Sequence, residues 1–95
     1  MKKYEAMFII KPELSEDEKK ILFNQISDEV TKNNGNVLQA NIWSERRKFY
    51  FAIKKHREGI YYLMNFNVLP EAVAKIRHAY KLNENILRDL ITKAE

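Results

Sequence analysis

Three cations stand together at Arg46-Arg47-Lys48, and a second basic group, Lys54-Lys55-His56-Arg57, follows a few residues on. Aromatic residues lie between and after them: Tyr50, Phe51, Tyr61 and Tyr62. Cations beside stacking rings suit an RNA backbone with unpaired bases, because the charges meet phosphate and the ring faces meet bases. Lysine and arginine on a solvated edge strand would also discourage sheet-to-sheet association. Composition alone does not separate these two readings.

Catalytic chemistry finds much less support. His56 falls in a charged turn and His78 on a helix pattern beside Arg77, so both read as surface residues. Glu13, Glu16, Asp17 and Glu18 cluster where a helix begins, and attraction to the positive end of its dipole accounts for them. There is no glycine-rich phosphate loop and no His/Cys/Asp spacing that suits a metal. Acylphosphatases share the order of elements derived below. They need a glycine-rich, arginine-bearing loop after the first strand, where this chain has Lys11-Pro12-Glu13-Leu14-Ser15. An RNA-recognition motif is matched weakly by Gly59 to Phe66, which lacks the second small residue and the aromatic spacing. The expectation is a protein that is not an enzyme, with no cofactor and no small-molecule substrate.

The elements that must position these residues follow from the rest of the chain. Ninety-five residues make one small domain, expected to span 1–95. A hydrophobic fraction of 45% with only two glycines and two prolines argues against disorder. The net charge of +4 permits attraction to phosphate without demanding it. The absence of cysteine rules out disulfides and thiolate metal sites, and fits a reducing cytoplasm. The basic start Met1-Lys2-Lys3 is interrupted by Glu5, and Ala6 to Ile10 is too short for a signal sequence or a membrane span. A soluble, unprocessed intracellular protein is expected.

Lys3 to Ile10 alternates with apolar residues on both faces, predicting a central strand closed by Pro12. Ser15 with Glu18 is a capping-box pattern, and Leu22, Phe23, Ile26 and Val30 form the inward stripe of the helix that follows. Asn34-Gly35 should end it, with the glycine left-handed. Asn36 to Ile53 is a long strand with a bend near Ser44-Glu45. It forms a hairpin with Ile60–Val68 through a longer basic loop ending at Gly59. Pro70 starts a second helix, whose inward stripe is Ala72, Val73, Ile76 and Tyr80, and Ile86 to Thr92 is the last strand. The order β-α-β-β-α-β, folded with right-handed crossovers, gives an α+β ferredoxin-like split βαβ sandwich. It has a four-stranded antiparallel sheet with both helices on one face. Because a buried unpaired charge is costly, the arginines of the first hairpin arm should project beyond the core.

Several segments, taken together, resemble one family: the bacterial small-subunit ribosomal protein six family. Lys3-Tyr4-Glu5-Ala6-Met7-Phe8-Ile9-Ile10-Lys11-Pro12 is similar to its first strand. Arg46 to Lys54 lies where its signature does, and Glu58 to Phe66 and Leu82 to Arg88 are similar to its third strand and last turn. Within the signature, Arg47, Ile53 and Lys54 match. Glu45 stands where the family has glycine, Phe49 for leucine, Tyr50 for alanine and Phe51 for tyrosine. The resemblance implies a non-catalytic constituent of the 30S subunit that pairs with small-subunit ribosomal protein eighteen and binds the central domain of 16S ribosomal RNA. With that role, Arg46, Arg47 and Lys48 are expected on RNA phosphate, with Lys2, Lys3, Tyr4 and Arg88 as further contacts. Trp43 and the Tyr61/Leu63/Asn65 face are candidates for the partner protein. The alternative is a ferredoxin-like interaction or regulatory domain that dimerises through its sheet and binds no RNA.

Overall fold

Alternate residues of the first strand enter the core: Tyr4, Ala6, Phe8 and Ile10 are buried against both helices. We describe residues 1–94 of a computed structural model, excepting the side chains of Arg46, Tyr50 and Phe51. The elements are β1 (Lys2–Ile10), α1 (Glu16–Lys32), β2 (Asn36–Ile53), β3 (His56–Val68), α2 (Val73–Lys81) and β4 (Ile86–Lys93), with a single 3-10 turn at Pro70–Ala72 leading into α2. The strands lie in the order β2-β3-β1-β4, antiparallel at every pairing. The first strand is therefore central, and each βαβ half brackets a strand of the other, which is the ferredoxin-like arrangement.

Helix α1 starts as its sequence requires. The Ser15 backbone N–H donates to Glu18 Oε1 at 3.0 Å and the Glu18 N–H donates to Ser15 Oγ at 3.2 Å, so two otherwise orphaned donors are satisfied reciprocally. Hydrogen bonding to the Ser15 backbone, then to its side chain, holds the Glu18 carboxyl below its ordinary pKa. Leu22, Ile26 and Val30 are buried and Phe23 packs beside them, its ring flat on Tyr62 at 4.1 Å. From α2, Ile76 and Tyr80 complete the layer. The Tyr80 hydroxyl donates to the Ile26 carbonyl at 2.7 Å, tying the helices together. Phe8, Phe66, Ile10 and Leu22 are among the largest wholly enclosed side chains, each worth about 1.5–3 kcal/mol of transfer free energy.

Two local expectations are corrected. The helix ends with Asn34, not glycine, in the left-handed region (φ 65°). Asparagine tolerates that conformation, and Gly35 is needed for space instead: a Cβ there would lie 2.5 Å from the Asn67 carbonyl oxygen. The hairpin also has no longer loop. Its turn is only Lys54-Lys55, both at positive φ, and pairing resumes at Ile53 and His56. Positive φ at both central residues is what a two-residue turn needs to match the twist of its strands, so β3 begins four residues earlier than the aromatic pattern indicated.

Candidate nucleic-acid interface

The sheet face away from the helices carries the odd positions of β1 and β3 and their partners. Met7 lies between Leu63 and Leu90, and Ile9 between Tyr61 and Arg88. The second row continues into β2, where Ser44 pairs with Tyr61 and the Trp43 ring sits 5.6 Å from the Tyr61 ring. Arg47 pairs opposite Gly59, one register step past the last β1–β3 pair at Ile10 and Ile60. The hairpin thus overhangs the end of the central strand, as the cost of burying charge requires. The Arg47 guanidinium lies 4.8 Å from the Trp43 ring centroid and 5.7 Å from that of Tyr61, inside cation–π range.

Register slips put the row there. Between Ile42 and Arg47, β2 advances five residues while β3 advances three, so bulges absorb two extra residues in the segment where the sequence predicts a bend. Glu45 consequently serves the other side of the sheet, 3.9 Å from Lys19 of α1. His56, half-buried, is 3.3 Å from Glu13, which fastens the hairpin end to the loop before α1.

The seven expected contact residues do not form one patch. Arg47, Lys48 and Arg88 converge on a recess of about 290 Å³ whose lining also includes Ile9, Phe49 and Tyr61. Lys2 and Lys3 are exposed at the opposite end of β1, roughly 20 Å away at the rise of a strand. Lys93 pairs with Tyr4 at that end and adds a cation that the sequence pattern did not single out. Tyr4 itself is buried, its ring stacked on Phe66 at 5.8 Å, and is not offered to a ligand. Even-numbered positions of β1 face the helices, which turns this aromatic inward. The Arg46 side chain and the Tyr50 and Phe51 rings lie outside the described residues. Phe49, which sequence reasoning passed over, lines the recess with its ring 6.3 Å from Tyr61. Among the described residues no group of three or more His, Cys, Asp or Glu side chains is placed to hold a metal ion, and no helix is long and apolar enough to cross a membrane.

A four-stranded antiparallel sheet with both helices on one face and an uncovered, cation-bearing aromatic face on the other defines a ferredoxin-like α+β module. The crystal structure of 30S ribosomal protein S6 from Thermotoga maritima superposes with a TM-score of 0.87 at 26% identity, covering 97% of this chain and 86% of that one. The family model for ribosomal protein S6 matches residues 3–93. Small ribosomal subunit protein bS6 of Caldanaerobacter subterraneus subsp. tengcongensis is 32% identical over all of this chain and 99% of its own length. That of Helicobacter acinonychis is 37% identical over 98% of this chain, which spans 65% of that relative's length. The chain belongs to the ribosomal protein S6 family.

Proposed function

We propose that the chain is a structural constituent of the small ribosomal subunit in the cytoplasm, binding the central domain of 16S ribosomal RNA together with small-subunit ribosomal protein eighteen. The observation that carries the RNA reading is the convergence of Arg47, Lys48 and Arg88 on one recess of an open, ring-bearing sheet face. Lys2, Lys3 and Lys93 at the far end supply a second phosphate contact region, and Arg46 belongs to the proposal by its position in β2. Tyr4 contributes through the core. A net charge of +4 gives a lone module weak attraction for RNA, so a basic partner sharing the interface would supply further phosphate contacts. The outer edge of β2 and the uncovered face offer that partner places to dock, including by strand addition.

Two measurements test the proposal. The protein should co-sediment with 30S particles at moderate salt, and persistent exclusion from them would overturn it. Arg46→Ala with Arg47→Ala should weaken RNA binding by the complex and lower the slope of log affinity against log salt, by about one for each phosphate no longer neutralised. An unchanged affinity and slope would remove these arginines from the interface.

A further inference from the structure

Phosphate contacts alone leave the rings of the recess without a role. Ile9 and Tyr61 are paired across β1 and β3, and Phe49 comes over from β2. Arg47, Lys48 and Arg88 complete the lining, and among the described residues no carboxylate does. The Arg47 guanidinium carbon already lies over the Trp43 and Tyr61 rings. A cation–π contact of this kind restrains the guanidinium while its five N–H donors can still reach an anion. The volume of about 290 Å³ is at the low end for small-molecule pockets, enough for one flat ring. A duplex keeps its base faces inside the stack and cannot present one here, whereas an unpaired nucleotide brings a ring and two flanking phosphates. A basic protein partner would set its own cations against three others.

We infer that this recess binds one unpaired nucleobase, stacked against Tyr61 and Phe49, with Arg47 and Arg88 taking the neighbouring phosphates. The inference rests on the RNA-binding reading and goes beyond it, since that reading needs only phosphate contacts. Trp43 is a positioning residue: it holds Arg47 and does not line the recess.

The test uses the full chain in about 50 mM salt, where electrostatic binding is strong, and two end-labelled probes of equal length and charge. One is an unstructured oligoribonucleotide, the other its abasic sugar–phosphate counterpart, both read by fluorescence anisotropy. The base-bearing probe should bind roughly five- to one-hundred-and-fortyfold more tightly, the gain from one base–aromatic stack. Tyr61→Leu and Phe49→Leu should erase that preference while keeping the salt slope, and Tyr61→Phe should retain it. Trp43→Leu should weaken both probes alike and lower the salt slope, with Trp43→Phe restoring both. Equal affinity of the wild type for the two probes, or binding of neither, overturns the base recess. So does a Tyr61→Leu variant that keeps the preference and instead loses the partner protein, which would assign the recess to protein docking. Exclusion from 30S particles is a separate result and counts against the RNA reading itself.

Discussion

Gly59 has no room for a methyl group. A Cβ at this buried position of β3 would come within 2.8 Å of Ile9 Cγ2, 2.9 Å of Phe49 Cζ and 3.0 Å of the Ile10 carbonyl oxygen. Two of those neighbours line the recess, so the missing side chain is what lets Phe49 close over it. Gly59→Ala should destabilise the protein by about 1–3 kcal/mol, the usual cost of overpacking, as a lower urea midpoint with an unchanged m-value. An unchanged midpoint would mean that Phe49 does not rest there. In the sequence this glycine reads as the end of a turn, because its distant neighbours are invisible in a linear string. Tyr4 is expected as a contact only through the family's role, and alternation could not correct this: it shows that β1 has two apolar faces but not which one the helices cover.

At the scale of elements, legibility follows the range of the interaction. The Ser15–Glu18 cap and the Leu22, Ile26, Val30 stripe could be read directly, since each is complete within one helix. The hairpin and its bend were legible too, but the length of its turn was not, because that depends on the register between two strands. Its turn places two lysines at positive φ, Lys54 at 48° and Lys55 at 71°. A left-handed lysine costs about 1–2 kcal/mol, and glycine would recover this less about 0.5–1 kcal/mol of added chain entropy. Lys55→Gly should therefore stabilise the fold by about 0.5 kcal/mol in chemical denaturation, and a loss of stability would argue against this turn. The same substitution removes one tip cation, so a concurrent drop in RNA affinity would place the tip in the interface.

Across the whole molecule, the strand order and the placing of both helices on one face were legible from the order of elements, because short connections and crossover handedness leave few arrangements. The recess was not. Ile9, Arg47, Tyr61 and Arg88 come from four strands and meet only after register and bulges are set. Tyr80 touches both layers: its ring meets Phe8 edge-on at 4.9 Å while its hydroxyl reaches α1. Burial, the largest cause, pushes its phenol pKa up from the ordinary value. A pKa raised by folding means that the associated stability is complete below about pH 10, the unfolded value. It is then lost as pH rises through the folded one. Tyr80→Phe should cost about 1 kcal/mol at neutral pH for the missing hydrogen bond and should show a shallower decline of stability above about pH 10. Parallel alkaline profiles for the two proteins would mean that the phenol is not buried in solution.

The central position of β1 also carries a consequence in time. It leaves the ribosome that makes it before the other strands of its sheet, yet its two neighbours are His56–Val68 and Ile86–Lys93. At a synthesis rate of roughly 5–20 residues per second, Phe8 and Ile10 wait several seconds for either flank. During that interval Ala6 to Ile10 is an apolar strand with both edges unpaired. A newborn chain of this design is most exposed to aggregation and to chaperone capture before its third strand has been translated.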